Sequence, residues 1–132
     1  MPWADALAAR RAQQGRRAER LAERELVRQG YRIQRRNVRY PVGEIDLIAM
    51  DGDTLCFVEV RSTSSDAWGG PLATVTDGKR RRIIAAARWF LASYRGPMAE
   101  CRFDVVGVLW RADSAPQLEL VRGAFTADGG GW

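Results

Sequence analysis

Residues 43–61 read GEIDLIAMDGDTLCFVEVR, and they carry the clearest structural signal in the chain. Two segments rich in Ile, Leu, Val and Phe, at 44–50 and 54–61, flank the sequence Asp51-Gly52-Asp53. Asp-Gly between two apolar segments is a strong signal for a tight β-turn. The stretch therefore predicts a β-hairpin of two antiparallel strands.

The length of the hairpin turn decides which carboxylates meet. Side chains alternate between the two faces of a strand. A two-residue turn at 52–53 places Asp46 directly opposite Glu59, and one at 51–52 places Glu44 opposite Glu59. Either turn keeps these acids on one face, within about 5–8 Å of each other. A three-residue turn would separate them onto opposite faces.

The acidic face predicted for the hairpin has too little positive charge of its own. Glu44, Asp46 and Glu59 would share it with Arg61, and like charges directly opposite in a sheet are destabilising. Mg²⁺ binds one or two carboxylates together with waters and substrate phosphate oxygens, so a divalent cation is one interpretation. The alternatives are a buried acid–arginine network with one carboxyl protonated, and an acidic face that is simply solvated.

Outward from the hairpin, the pattern predicts two helices and three further strands. The helices are expected from about Arg16 to Gln29 and from about Thr76 to Tyr94, and the strands at 31–40, 101–110 and 117–122. Residues 62–73 are expected to be a polar loop. This order predicts an α/β sandwich around one central sheet. We expect an N-terminal extension at 1–14, one domain at 15–126 and a flexible tail at 127–132.

Composition excludes several classes of enzyme and compartment. The 132 residues contain no histidine, which removes Ser-His-Asp and Cys-His triads and zincin motifs. The two cysteines form no C-x-x-C pair, so a zinc ribbon or disulfide framework is not expected. No uncharged apolar segment reaches the roughly 18 residues of a membrane span, and no secretory h-region is visible. We therefore expect a cytoplasmic protein without a membrane partner.

Charge is divided along the chain into an acidic centre and two basic arms. Residues 1–39 carry +7, residues 40–78 carry −6 and residues 79–132 carry +4. All the basic side chains except Lys79 are arginines. An Arg-rich composition alone would explain the preference for arginine. The clustering fits a basic rim for a polyanion around an acidic pocket.

The two helices and the loop add further candidates. Glu19 lies beside the apolar stripe of the first helix and is a candidate third acid. The alternative is that Glu19 forms a solvated pair with a neighbouring arginine. For Glu23, such a solvated pair is the favoured interpretation. Trp68 could stack on a base, although ordinary packing is favoured. Trp89 and Trp110 are assigned to core or interface. The second helix opens with four bases that suit a phosphate backbone, or that form an ordinary solvated helix start: Lys79, Arg80, Arg81 and Arg82.

The spacing of the hairpin acids resembles a known pattern. Asp46, a 13-residue step to Glu59, Val60 and a base at 61 resemble the D…(D/E)-x-K core of the PD-(D/E)XK nuclease superfamily. A longer pattern is similar to the YraN-like family of uncharacterised bacterial proteins. It consists of Gly15, Glu19 and Ala22, GYRI at 30–33, Asn37, GEIDLIA at 43–49, FVEVR at 57–61, GGP at 69–71, Val75, Thr76, Lys79 and CRFDVV at 101–106.

This resemblance implies a fold and a metal site. The fold would be a restriction-endonuclease-like three-layer sandwich with a central mixed sheet flanked by helices, similar to archaeal Holliday-junction resolvases. Mg²⁺ or Mn²⁺ would be held by Asp46, Glu59, the helix-borne Glu19 and the carbonyl of Val60. Arg61 occupies the usual lysine position. Because arginine stays protonated, it can stabilise a transition state there but cannot act as a base.

Together these features predict a metal-dependent endonuclease that acts on DNA. Asp46 and Glu59 would hold the metal, Glu19 and Glu44 would support it, and Arg61 would face the scissile phosphate. Branched or damaged DNA is a candidate substrate, RNA is an alternative polymer, and a homodimer is a candidate assembly. The main rival is a non-catalytic nucleic-acid-binding protein on the same fold. An interaction module with a purely structural acidic face is the third class.

Overall fold

The computed structural model describes residues 1–64, 69–98 and 100–127. Two helices and five strands follow one another along the chain. In order they are α1 (Pro2–Arg28), β1 (Arg32–Tyr40), β2 (Gly43–Asp51), β3 (Thr54–Thr63), α2 (Asp77–Ser93), β4 (Glu100–Leu109) and β5 (Gln117–Phe125). A 3₁₀ helix, Pro71–Thr74, precedes α2.

The strands form a single sheet in the order β1-β2-β3-β4-β5. All neighbouring pairs are antiparallel except β3 and β4, which are parallel and are connected through α2. The two helices cover opposite faces of this sheet. The predicted α/β sandwich with a central mixed sheet is therefore confirmed. Among the described residues, neither helix is long and apolar enough to cross a membrane.

Each face of the sheet has its own core, and alternation along β3 assigns residues to them. Phe57 is fully buried toward α2, where its ring packs against Phe90 and Phe103. Val58 is fully buried toward α1, which contributes the small side chains of Ala18 and Ala22. Small residues let the helix approach the sheet closely. Every second side chain of β3 therefore faces α2, and this periodicity continues to Glu59 and Arg61.

The helix α1 begins at Pro2, whereas the apolar pattern predicts a start near Arg16. The pattern detects only the part of a helix that buries a stripe, and that part begins at Ala18. Residues 1–14 are mostly exposed, and alanine, arginine and glutamine all have high helix propensity. Proline at the first helical position is also favourable there. Propensity, rather than burial, therefore extends the helix toward the N-terminus.

The other element boundaries lie close to the predicted ones, with β5 the largest exception. It runs to Phe125 instead of ending near Arg122, because Phe125 pairs with Phe103 beyond an irregularity in the register. At that irregularity the backbone N–H of Gly123 donates to the buried carboxylate of Asp104 at 2.9 Å. The predicted loop at 62–73 is shortened on both sides, since β3 continues to Thr63 and the 3₁₀ helix begins at Pro71. The described chain stops at residue 127, so most of the predicted tail lies beyond it.

The tryptophans occupy different environments. Trp110 is 8% exposed and belongs to the core under α1, as predicted. Trp89 is 49% exposed, and its ring contacts Tyr40 at a centroid distance of 5.5 Å. The stacking role proposed for Trp68 concerns a residue outside the described ranges.

A buried ion pair joins the hairpin end of the sheet to β5. Asp104 is fully buried, and its carboxylate accepts hydrogen bonds from Tyr31 Oη at 2.6 Å and from Arg102 Nε at 2.8 Å. Arg102 also donates to Asp51 at 2.7 Å. A buried charge is tolerated when it is paired and hydrogen-bonded in this way. The cluster is thus a complete structural unit with its charges satisfied.

The first turn of α2 is fixed by a side-chain cap. The hydroxyl of Thr76 accepts a hydrogen bond from the backbone N–H of Lys79 at 3.2 Å. We expect Thr76→Ala to lower the free energy of unfolding by about 1 kcal/mol, the usual cost of an N-cap, and Thr76→Ser to retain most of it. Urea titrations of the three proteins measure the difference. Equal losses in the alanine and serine variants would contradict a capping role.

Candidate functional site

The hairpin turn consists of Gly52 and Asp53, which is one of the two turns that keep the acids on a shared face. Leu47 pairs with Val58 in this register, so the next position places Asp46 opposite Glu59. There the backbone pairing of the two strands gives way to a side-chain contact: Asp46 Oδ2 accepts a hydrogen bond from the N–H of Val60 at 2.8 Å. This bond fixes the Asp46 carboxylate beside β3.

Glu59 is buried, with 6% of its surface exposed. Burial raises the pKa of its carboxyl group well above the usual range, and a hydrogen bond to Asp46 together with the Asp46 charge raises that pKa further. The charges of Lys79 and Arg61 lower it, but by less. Without a bound cation, burial and the Asp46 charge therefore favour the protonated form of Glu59 to a higher pH than in an ordinary glutamate.

Lys79 lies in the cleft that contains Glu59. Its Nζ is 4.0 Å from Glu59 Oε2. The cleft has a volume of about 360 Å³, and Arg82, Arg39 and Glu44 also line it. Lys79, the only lysine of the chain, is therefore positioned to contact a ligand bound beside Glu59.

The cleft depends on a close approach between β2 and α2. A Cβ atom at Gly43 would lie 2.5 Å from the carbonyl oxygen of Arg82, which is shorter than any real carbon contact. Only glycine permits this approach. The first residue of the GEIDLIA motif thus has a structural role: it lets α2 bring Lys79 and Arg82 to the start of β2.

Arg61 is oriented by the 3₁₀ helix before α2. Its Nε donates a hydrogen bond to Thr74 Oγ1 at 2.8 Å, and that hydroxyl donates in turn to the carbonyl oxygen of Pro71 at 2.6 Å. Arg61 follows Glu59 by two residues on β3, so both side chains lie on the α2 face. The contact with Thr74 orients the guanidinium through its Nε.

Glu19 approaches Asp46 from the α1 side of the sheet. Partial burial raises the pKa of Glu19, and the charge of Asp46 raises it further, while a hydrogen bond with Asn37 opposes both effects. Asn37 has a φ of 50°, and the flanking pairs Arg36–Leu47 and Val38–Ile45 place it opposite Asp46. Glu19 and Asn37 line a separate small cleft of about 180 Å³.

The positive φ of Asn37 is accompanied by a break in the alternation of side chains along β2. Ile45 packs in the core beneath α2, whereas Leu47 and Ala49 pack beneath α1. Simple alternation predicts all three on one face. The left-handed conformation of Asn37, opposite Asp46, accompanies the change.

A divalent cation would have two converging carboxylates here. Asp46 and Glu59 supply the oxygen donors that Mg²⁺ and Mn²⁺ prefer, and one or two carboxylates suffice for Mg²⁺. Within residues 1–64, 69–98 and 100–127, no three acidic or cysteine side chains are close enough to hold a metal together. Glu19 lies in the neighbouring cleft. Glu44 is exposed and pairs with Arg39 at 3.4 Å. The carbonyl of Val60 remains a predicted ligand.

The four bases at the start of α2 do not form one surface. Lys79 and Arg82 line the cleft, and Arg81 is exposed. Arg80 is 17% exposed; it pairs with Asp77 at 3.9 Å, and its guanidinium lies over the Phe125 ring. Arg80 therefore packs against the fold, so a test of surface charge at this helix should leave it unchanged.

Three residues of the site carried no functional assignment from the sequence. Asn37 belongs only to the longer motif, and no pattern in the sequence points to Thr74 or Arg39. An asparagine within a predicted strand is an available signal, because asparagine tolerates left-handed backbone conformations. Thr74 offered no signal, since its contact with Arg61 depends on how the segment before α2 folds back onto β3.

Comparison with known proteins identifies the family. Residues 18–108 match the model of the uncharacterised protein family UPF0102. The chain is 47% identical over 118 residues to a UPF0102 protein of Desulfosudis oleivorans, covering 89% of this chain and 94% of that one. A UPF0102 protein of an Anaeromyxobacter species is 46% identical over 119 residues, covering 90% and 89%. The matched residues include Glu19, Asp46, Glu59 and Lys79. The chain therefore belongs to the UPF0102 family, which is the YraN-like family within the restriction-endonuclease-like superfamily.

Proposed function

We propose that this protein is a metal-dependent phosphodiesterase that cleaves DNA. The observation that carries the proposal is the carboxyl pair of half-buried Asp46 and buried Glu59, in which Glu59 lines the cleft that contains Lys79. Because the raised pKa of Glu59 reflects the cost of two adjacent negative charges, the pair is suited to exchange a proton for a divalent cation. The cations around them are suited to a phosphate.

Asp46 and Glu59 would hold Mg²⁺ or Mn²⁺. When bound, such an ion would supply Lewis acidity toward the phosphoryl oxygens of a phosphodiester. The bond from the Val60 N–H keeps Asp46 in place, so the pair is preorganised and little rearrangement is needed on binding. Glu19, which faces Asp46 from the α1 side, would support the negative potential that attracts the cation.

Lys79 and Arg61 would bind the scissile phosphate. Arg61 is held by Thr74 and stays protonated, so its role is to stabilise negative charge that develops on the phosphoryl oxygens. Lys79 already lies 4.0 Å from Glu59, and a cation on Glu59 would free its ammonium group for the phosphate. Arg39 and Arg82 line the same cleft and would contact the flanking backbone.

The expected polymer is DNA, with RNA as the alternative. Phosphate contacts fix position without reading sequence, and five of the ten residues that line the cleft carry charged side chains. Substrate choice would therefore depend on the shape of the nucleic acid, as in branched or damaged DNA. A second copy of the chain would let a homodimer contact two arms of such a substrate.

Metal binding can be tested without any nuclease assay. At tenfold its dissociation constant, a ligand that binds only the folded state stabilises it by roughly 1.4 kcal/mol. We expect Mn²⁺ to raise the melting temperature of the wild type and of Asp53→Asn, an exposed acid in the turn, but not of Asp46→Asn. If Asp46→Asn gains as much as the wild type, or if none of the proteins responds, the metal site is refuted.

Activity itself requires a panel of substrates. Purified protein with Mg²⁺ or Mn²⁺ should cleave at least one of linear, nicked, flapped or four-way DNA, or RNA. The second candidate function, nucleic-acid binding without catalysis, is favoured by the absence of a third converging acid in the described part of the chain. Binding to the panel without cleavage, under both metals, would support that alternative.

A further inference from the structure

We propose that Arg16, Arg20 and Arg24 on α1 form a second phosphate-binding surface, which holds the backbone of a DNA duplex on the side of the sheet opposite to the Lys79 cleft. We call these three residues the arginine row. The inference uses the nucleic-acid partner of the proposed function, but it does not depend on metal binding or on cleavage.

The arginine row is straight and regularly spaced. Its members are four residues apart, so they lie on one face of the helix, separated by about 6 Å along its axis. All three are exposed, whereas the side of α1 that carries Ala18 and Ala22 is buried. The row therefore presents a rigid linear array of guanidinium groups to solvent, and each guanidinium can contact a phosphate through two N–H donors.

The acids of α1 leave the arginine row without counter-ions. Glu23 forms an ion pair with Arg36 of β1, and Glu25 pairs with Arg28 at 2.6 Å. For Glu23, the sequence predicts a pair with a neighbouring arginine of α1. In the described structure, Arg16, Arg20 and Arg24 form neither an ion pair nor a hydrogen bond with another side chain.

The arginine row also leads to the acids of the candidate site. Arg16 and Arg20 line the small cleft that contains Glu19 and Asn37, and Asn37 lies opposite Asp46. Lys79 and Arg82 lie on the other face of the sheet. The acids thus lie between two basic surfaces. A duplex carries two phosphate backbones, so it can contact both surfaces where a single strand contacts one.

A membrane surface fits the arginine row less well than nucleic acid does. Interfacial helices insert a broad apolar face next to their basic residues. Around the row, the exposed side of α1 contributes one large apolar side chain, Val27, which is 54% exposed. The exposed Trp3 and Leu7 lie nearer the N-terminus of α1, more than two turns before Arg16. The other residues that surround Val27 on this surface are charged: Arg20, Glu23, Arg24 and Arg28. Recognition by this face would therefore be electrostatic.

The test measures duplex binding in EDTA, where cleavage plays no part. The row variant replaces Arg16, Arg20 and Arg24 with glutamine, which retains helix propensity. The matched control replaces three other exposed arginines, Arg11, Arg35 and Arg95, with glutamine as well, so its net charge equals that of the row variant. Fluorescence anisotropy with a labelled DNA duplex over a salt series gives the slope of log K against log salt, to which each phosphate contact contributes about −0.9.

We expect the row variant to flatten the slope by about 2–3 and the control by less than about 1. Equal effects in both variants would show that only net charge matters, and an unchanged slope in the row variant would remove the surface; either result overturns the proposal. Wild-type binding to poly-glutamate or to phosphatidylserine vesicles as tight as to the duplex would also overturn it. Loss of cleavage in other experiments, with this slope change intact, would refute only the proposed catalysis.

Discussion

Glu59→Gln should reduce DNA cleavage below detection while the protein stays folded. The substitution keeps the shape and volume of a buried side chain and removes the negative charge that would hold a divalent cation. Loss of a single preorganised electrostatic contact commonly costs about 10²–10³ in rate, and the loss of a metal ligand should exceed that. Cleavage of the most reactive substrate in the DNA panel, followed over time with Mn²⁺, measures the effect.

The matched control for this experiment is Glu119→Gln. Glu119 is exposed on β5, so the same chemical change occurs away from the cleft. We expect its cleavage rate to equal that of the wild type. All three proteins are purified identically, because a contaminating nuclease would give equal cleavage in each of them. Such equality would exclude Glu59 from the reaction and leave the binding protein as the better interpretation.

The hairpin shows how much of the site the sequence determines. Alternation along two strands brings Asp46 and Glu59 together for either two-residue turn, so a short local pattern is sufficient. The sequence DGD did not decide between the two turns. Gly52, with a φ of 62°, is the first residue of the observed turn, and the register then pairs Asp51 with Thr54. The central acids were predictable because both their separation and their face are local properties.

The cations around the acids depend on packing between distant segments. The sequence predicts Lys79 on a phosphate-binding surface with its three neighbours, yet the approach of α2 to Gly43 places it beside Glu59. The sequence predicts that Glu23 pairs within its own helix, yet it pairs with Arg36 on β1. Helical periodicity cannot reveal such contacts, because it specifies only neighbours at three and four residues along the same helix.

Stability should fall with rising pH in the metal-free wild type relative to Glu59→Gln. Burial and Asp46 raise the pKa of Glu59 in the folded state above the 4.5 of an ordinary glutamate. The folded state therefore binds more protons than the unfolded state between these two pKa values. Glu59 contributes its full stabilisation below pH 4.5, and this contribution is lost as the pH rises toward the raised value. One proton changes the free energy of unfolding by at most about 1.4 kcal/mol per pH unit.

Glutamine at position 59 removes this dependence because it is neutral at every pH and can still donate a hydrogen bond to Asp46. Urea unfolding in EDTA at several pH values between 5 and 8 should therefore show the advantage of Glu59→Gln increasing with pH. Saturating Mn²⁺ should cancel that advantage at the upper end of the range, since the cation takes the place of the shared proton in the wild type. Parallel pH profiles of the two proteins in EDTA would mean that Glu59 is already ionised in the folded state. The carboxyl pair would then need no cation, and the central reason for proposing a metal site would be lost.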